Sequence, residues 1–170
     1  YVKHFLRFFY RRARAFYSEI AHYPDAEKGW TPSALKAGDK LLQEEDIDVI
    51  VSSSSPVTTH IIAKELKEKH NIPWVADFRD LWTQNHNYPY TRFRKMFETR
   101  LETRTLFLAD AIITVSSPIA ERLKILHKAK KTYVLTNGFD PEKMSDKKTS
   151  LTSKFTITYT GQIYIGRQDP

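Results

Sequence analysis

The stretch "WVADFRDLW", residues 74–82, places two opposite charges and a large aromatic side chain directly after an apolar run. Arg79 offers a planar fork of N–H donors that suits a phosphate or a carboxylate, and Asp80 can accept from a sugar hydroxyl or act as a base. Trp82 can stack against a sugar ring. An Arg79–Asp80 pair that only closes a strand end, with Trp82 buried, explains the same residues, so both interpretations stay open.

Polar residues also follow other apolar runs of the chain. Serines before a helix place hydroxyl and backbone N–H groups where an anion can bind, although simple capping explains them too. Ser55-Pro56 and Ser117-Pro118 each predict the start of a helix, and an Asn-Gly pair is also an ordinary turn. The candidate residues are Ser53, Ser54 and Ser55 after the first run, Ser116 and Ser117 after the third, and Asn137 and Gly138 after the fourth.

The elements that must position these residues alternate along the chain. Four runs rich in β-branched residues predict buried strands at residues 48–53, 74–78, 111–116 and 132–137, and helical patterns lie between them. This alternation is typical of βαβ units, so we expect an α/β fold with a partial Rossmann-like parallel sheet of about four strands flanked by helices. Ligands of such sheets collect at the carboxyl ends of the strands, which is where the candidate residues stand.

The two ends of the chain indicate that it contains parts of two domains. Residues 145–154 are polar and suggest a linker, and "FTITYTG" at residues 155–161 predicts a fifth strand. We therefore expect a truncated first domain at residues 1–150 and the opening of a second at residues 151–170. The glycine-rich turn of a doubly wound first half is absent, so the sheet is expected to have an exposed edge that favours a homo-oligomer.

Composition excludes some chemistry and favours an anionic partner. The 170 residues include no cysteine, and the six histidines show no metal-binding spacing, so we expect no metal. The net charge of +7 favours nucleic acid, anionic lipid or a phosphorylated substrate. No apolar run is long enough to span a membrane, and no RNA- or DNA-binding motif accompanies the charge, so no nucleic-acid partner is expected.

Two basic helices leave a second function open. Residues 1–20 combine aromatic residues at helical spacing with several arginines, which fits a covering helix or a helix lying on anionic lipid. The helix at residues 90–108 is expected to turn an apolar stripe of Phe93, Met96, Phe97 and Leu101 inward and its charges outward. The alternative to an enzyme is thus a non-catalytic basic module that docks on anionic membrane or nucleic acid through these two segments.

Several motifs together give the chain a family resemblance over residues 22–170. The motifs "HYPDAEKGW", "VADFRDLW", "LADAIITVSS", "YVLTNGFDPE" and "FTITYTGQIYIGRQDP" occur in the order seen in glycosyltransferase family 4 type enzymes of the GT-B fold, which the chain resembles. The resemblance implies two Rossmann-like domains across a cleft, of which the first holds the acceptor and the second a nucleotide-sugar. It also implies a retaining reaction that needs no bound metal or other cofactor.

The resemblance assigns roles by position. Arg79 and Asp80 stand as catalytic candidates where many members have a His-Asp pair, and Arg79 can stabilise a leaving phosphate but cannot shuttle a proton. The family's Glu-x7-Glu element is absent from the chain. The resemblance also implies acceptor-side binding for the Ser53–Ser55 loop, places Asn137 and Gly138 in the loop that enters the interdomain hinge, and assigns the donor pyrophosphate to Gly161 and Arg167. The substrate-binding candidates are then Ser53, Ser54, Ser55, Trp82, Asn137 and Gly138.

The function expected from the resemblance is sugar transfer from a nucleotide-sugar to a saccharide or lipid-linked acceptor in cell-envelope glycan synthesis. The chain is expected to be a fragment of such an enzyme, inactive by itself, because the nucleotide-sugar site belongs to the second domain. The expected location is cytoplasmic, with contact to an anionic membrane surface.

Overall fold

The computed structural model describes residues 7, 10, 13, 14, 17–86, 88–128, 130–143 and 152–161. Residues 17–21 are helical, and 3-10 helices occupy Ala26–Trp30 and Pro141–Lys143. The α-helices in this part of the chain are Thr31–Glu44 (α1), Thr58–His70 (α2), Arg92–Leu106 (α3) and Ser117–Leu126 (α4). The β-strands are Ile50–Ser54 (β1), Trp74–Phe78 (β2), Ala111–Thr114 (β3) and Lys131–Val134 (β4).

The strands form one parallel sheet in the order β1-β2-β3-β4. Each strand is joined to the next by a helix, which is how parallel neighbours must be connected. The register sets Ser53 of β1 opposite Asp77 of β2, and Phe78 opposite Thr114 of β3. The fold is therefore α/β, with a partial Rossmann-like parallel sheet, as predicted.

The hydrophobic core lies on one face of this sheet. Right-handed crossovers between successive strands place α2, α3 and α4 on the same side. The core cluster joins Trp74, Ala76, Phe78 and Ile112 of the strands to Ala63 of α2, Leu106 of α3 and Leu123 of α4, together with Trp82 and Ala109. On the opposite face Val51 and Tyr133 of the outer strands are exposed, while Val75 and Ile113 of the inner strands are partly buried.

The predicted strands agree with the structure to within a few residues, because runs of β-branched residues are local signals. The fifth strand, predicted for residues 155–161, is wrong. Residues 155–160 have no regular secondary structure, and Phe155, Ile157 and Tyr159 are exposed. A strand needs a hydrogen-bonded neighbour, and the described residues supply none to this segment.

The serine caps predicted for two helices also need correction. α2 begins at Thr58 rather than directly after Ser55-Pro56, and the side chain of its N-cap residue Val57 makes no capping hydrogen bond. Instead Asp25 accepts from the backbone N–H of Thr58 at 2.7 Å and from its hydroxyl at 2.6 Å. α4 begins at Ser117, with Ser116 at the N-cap position and no side-chain capping bond.

The orientation predicted for α3 is wrong. Arg94, Glu98 and Glu102 are buried, whereas Phe93 and Met96 are exposed. The buried charges have partners, since Arg94 donates to Glu98 at 2.5 Å and the indole N–H of Trp82 donates to Glu98 at 3.1 Å. The charges of one helix face are therefore satisfied inside the protein. Phe93, Met96 and Phe97 face outward, while Leu101 is partly buried against the core.

The chain consists of two compact units, Tyr1–Asn137 and Gly138–Pro170. The core cluster and all four strands belong to the first unit. In the second unit, the described residues 152–161 are exposed. None of the helices within the described residues has the length and apolarity required to cross a bilayer.

Candidate functional site

A chain of hydrogen bonds joins three polar segments at the carboxyl edge of the sheet. Asp77, near the end of β2, accepts from the Ser53 hydroxyl at 2.9 Å and from Arg79 Nε at 2.8 Å, both through Oδ2. Arg79 Nη1 also donates to Asn137 Oδ1 at 2.5 Å. The structure therefore brings together the predicted residues Ser53, Arg79 and Asn137, around an aspartate that was not among the predicted site residues.

The strand geometry explains why Asp77 is the centre of this cluster. Paired residues of neighbouring strands point to the same side of a sheet, so Ser53 and its partner Asp77 face one another. Residues two apart in an extended chain also share a side, which brings Arg79 beside Asp77. The two-residue spacing of Asp77 and Arg79 was the sequence signal for this pair, and the adjacent Asp80 obscured it.

The Arg79 guanidinium is held in place but remains accessible. Its side chain is 48% exposed, while that of Asp77 is only 8% exposed. The bonds to Asp77 and Asn137 use two of the five N–H groups of the guanidinium. The other N–H groups can bind an oxygen-rich anionic group that approaches the edge of the sheet.

Asp80 lines a separate cavity of about 270 Å³. The cavity lies between the segment after β2 and the start of α4, and its walls mix apolar and charged side chains. They are Asp80, Leu81, Asn85, His86, Pro118, Ile119 and Arg122. No group of three metal-binding side chains occurs here or elsewhere in the described residues, and the cavity offers a carboxylate, an imidazole and a guanidinium to a polar ligand.

A second cavity, of about 180 Å³, lies beside Ser55. Trp82 lines it too, but this side chain is 6% exposed and its N–H is bonded to Glu98. Little of the indole surface is therefore left for stacking against a sugar. Asp25, which sequence reasoning missed as a site residue, lines the same cavity and holds the start of α2 beside it.

Buried polar groups of α3 fix the segment that carries Asp80. Glu102 is fully buried and accepts from the Thr83 hydroxyl at 2.5 Å and from the Thr83 backbone N–H at 3.1 Å. Its other oxygen is 3.2 Å from His127 Nε2 at the end of α4. Glu102 thus connects the segment after β2 to α3 and α4. These bonds hold the backbone close to Asp80 in a defined position.

A buried network lies behind the site on the covered face of the sheet. His60 Nδ1 is 2.7 Å from the Ser52 hydroxyl, which in turn accepts from Trp74 Nε1 at 2.7 Å. The His60 ring stacks on Phe78 with 4.7 Å between ring centroids. Burial lowers the pKa of His60 to about 4, against an opposing effect of Asp77, so His60 is neutral at physiological pH. Ser54 is buried here as well, and its hydroxyl has no partner among the described residues.

The remaining predicted site residues lie outside this first compact unit. Gly138 opens the second unit. Gly161 stands close to the Tyr159 ring, since a Cβ atom at position 161 would lie 2.8 Å from the Tyr159 hydroxyl. Arg167 lies outside the described residues. The roles of Gly138, Gly161 and Arg167 therefore stay predictions.

Comparison with known proteins adds one finding to this geometry. A sequence model of the family described as Glycosyltransferase Family 4 matches residues 9–143, which is about four fifths of the chain. Searches of curated proteins and of solved structures give no significant match. The matched range includes the whole sheet and the polar cluster from Ser53 to Asn137.

Proposed function

Because the chain belongs to glycosyltransferase family 4, we propose that it supplies the acceptor side of an enzyme that takes its sugar from a nucleotide-sugar. In this proposal the sugar passes to a saccharide or to a lipid-linked acceptor during cell-envelope glycan synthesis. The reaction retains the configuration of the transferred sugar and needs no bound metal. A fold alone does not identify a reaction, so the support must come from the residues of the site.

The observation that carries the proposal is the fixed, half-exposed guanidinium of Arg79 at the carboxyl edge of the sheet. When a glycosyl–phosphate bond breaks, the nucleotide leaves with the bonding electrons and negative charge grows on its phosphate oxygen. The Arg79 guanidinium is already held in place by Asp77 and Asn137, so its N–H groups can bind that oxygen without reorganising. Arginine stays protonated, so Arg79 acts by binding charge and not by transferring a proton.

The cavity beside Asp80 is our proposed place for the acceptor. The Asp80 carboxylate can accept a hydrogen bond from the acceptor hydroxyl that attacks the sugar. The proton of this hydroxyl then passes to Asp80 or to the departing phosphate. Arg122 on the opposite side of the lining donates to the Gln84 carbonyl at 3.2 Å, which orients it near the same space. Ser55 in the neighbouring cavity extends the polar surface toward β1.

The decisive experiment changes Arg79 in the full-length protein and measures sugar transfer from a panel of nucleotide-sugars. Arg79→Gln removes the charge and should lower kcat about 10²–10³-fold, the usual loss when one donor to a developing anion is removed. Arg79→Lys keeps the charge but cannot reach both Asp77 and Asn137, so its kcat should lie between that of the wild type and that of Arg79→Gln. Lys36→Gln, an exposed change of equal charge on α1, is the control and should leave kcat unchanged.

Thermal unfolding of the same variants separates catalysis from folding. If Arg79→Gln lowers the melting temperature but leaves kcat at the wild-type value, Arg79 is structural and its proposed role fails. If the wild-type protein neither transfers nor hydrolyses any nucleotide-sugar in the presence of candidate acceptors, the proposed reaction itself fails. Asn137→Ala, which frees one side of the guanidinium, should lower kcat less than Arg79→Gln.

A further inference from the structure

The outer face of α3 has an unusual composition for a helix on a protein surface. Phe93 and Phe107 are 70% and 71% exposed, and Met96 and Phe97 are also exposed. The Phe93 and Phe97 rings contact each other edge to face, with centroids 4.9 Å apart. An apolar patch of this kind on a soluble surface marks an interaction site more often than an accident of packing.

Arginines lie among these apolar side chains. With 3.6 residues per turn, six residues fall within an arc of about 100° around the helix axis. In order around the arc they are Met96, Phe107, Arg100, Phe93, Arg104 and Phe97. We call these six residues, of which Phe107 directly follows the helix, the outer face of α3. All residues from 92 to 107 are described, and none of the exposed positions among them is acidic, because Glu98 and Glu102 point inward and are buried.

We propose that the outer face of α3 docks on the surface of an anionic lipid bilayer. Aromatic rings and methionine gain free energy by entering the boundary between headgroups and acyl chains. The long arginine stems can lie along the apolar layer while their guanidinium groups reach lipid phosphates. A face that contains only apolar and positively charged side chains matches such a surface in charge, whereas a protein partner would need a matching acidic patch.

The helical segment near the start of the described chain also exposes aromatic and basic side chains. Tyr10, Tyr17 and Ile20 are exposed, as are Arg7 and Arg14. The same segment is tied to the start of α3. Glu19 accepts from the Thr91 hydroxyl at 2.8 Å and from its backbone N–H at 3.1 Å. The docking proposal concerns binding alone and does not rest on the proposed sugar transfer.

Co-sedimentation of the full chain with lipid vesicles tests the proposal. The wild-type chain should sediment with vesicles that contain phosphatidylglycerol and much less with vesicles of phosphatidylcholine alone. Arg100→Gln with Arg104→Gln should weaken binding to the anionic vesicles about 25-fold, since each basic residue near such a surface contributes about fivefold. Phe93→Gln with Phe97→Gln should weaken it about a hundredfold, since two buried aromatic rings are lost.

Matched changes elsewhere provide the controls. Lys28→Gln with Lys36→Gln removes the same charge from exposed positions before and within α1, and Tyr133→Gln removes an exposed aromatic ring from β4. Both should bind like the wild type, and circular dichroism should show that every variant is folded. Weakening by the controls as large as that by the arginine variant would show non-specific attraction and overturn the proposal.

Three other results would also overturn it. The first is the absence of sedimentation with anionic vesicles at low salt. The second is a loss of binding in the arginine variant but not in the phenylalanine variant, because insertion of the rings is part of the proposal. The third is a phenylalanine variant that keeps vesicle binding but changes the sedimentation coefficient of the free protein, which would make the outer face a contact between copies of the chain.

Discussion

Asp77 organises the polar edge of the sheet, although Arg79 and Asp80 are the more conspicuous residues of the sequence. A single oxygen of Asp77 accepts from both Ser53 and Arg79. The alternation of side chains along a strand predicts that Asp77 and Arg79 share a side. The Asn137 partner of Arg79 could not be predicted in this way, because it follows β4 and nothing local relates it to β2.

The buried environment of His60 predicts how the stability of the fold depends on pH. Its pKa falls from 6.5 in the unfolded chain to about 4 in the folded protein, mainly because the ring is buried. Between these values the unfolded chain binds a proton that the folded protein does not. The stability that depends on neutral His60 is therefore fully present above about pH 6.5 and decreases as the pH falls toward 4, by up to about 3 kcal/mol.

Urea unfolding at a series of pH values measures this effect. His60→Asn keeps a polar atom near the Ser52 hydroxyl but does not titrate in this range. The free energy of unfolding of the variant should therefore fall less steeply than that of the wild type between pH 6.5 and 4. Equal slopes for the two proteins would show that His60 is not the group responsible.

At the scale of the element, α3 shows how a pattern of hydrophobic residues can mislead. The spacing of Phe93, Met96, Phe97 and Leu101 predicted a buried apolar stripe. The helix instead buries Arg94, whose guanidinium donates to the backbone carbonyls of Glu19, His22 and Pro24 and packs over the Tyr90 ring at 3.3 Å. The three carbonyl partners precede the sheet in sequence, so no local signal in α3 indicates them.

Breaking the buried pair of α3 should be costly. Arg94→Ala leaves Glu98 buried without its ion partner and should lower the free energy of unfolding by about 3–5 kcal/mol. Arg100→Ala, on the exposed face of the same helix, should change it by less than about 0.5 kcal/mol. Chemical denaturation of the two variants checks the difference.

A double variant tests whether the loss comes from the unpaired charge. Arg94→Met with Glu98→Leu replaces both ionic partners by apolar groups, so it should recover part of the stability lost in Arg94→Ala. The recovery should be incomplete, because the Trp82 N–H and the three carbonyls lose their partners. An Arg94→Ala variant as stable as Arg100→Ala would contradict the buried-pair explanation.

At the scale of the whole molecule, the order of the strands decides which face of the sheet is covered. Successive right-handed crossovers place three helices on one side, which buries Ile112 completely, while its neighbour Ile113 points to the other side and is only partly buried. The two residues are chemically identical and adjacent in β3. They are therefore a matched pair for measuring the difference between the faces.

Alanine at each position measures that difference. Ile112→Ala leaves a cavity in the core and should lower the free energy of unfolding by about 2–5 kcal/mol. Ile113→Ala removes a partly exposed side chain and should cost about 1 kcal/mol. Urea unfolding of the first compact unit distinguishes these values, and equal losses would show that both faces of the sheet are packed alike.

The sequence by itself determined the α/β class, the approximate places of four strands and of the three helices between them, and the edge of the sheet at which the candidate residues gather. These properties follow from local patterns, namely β-branched runs, helical periodicity and the alternation of strands with helices. Only the tertiary structure decided that Arg79 pairs with Asn137, that Asp25 caps the start of α2 and that α3 turns Arg94, Glu98 and Glu102 inward. Each of these depends on a polar group finding a partner elsewhere in the fold, and the hydrophobicity of neighbouring residues carries no information about such partners.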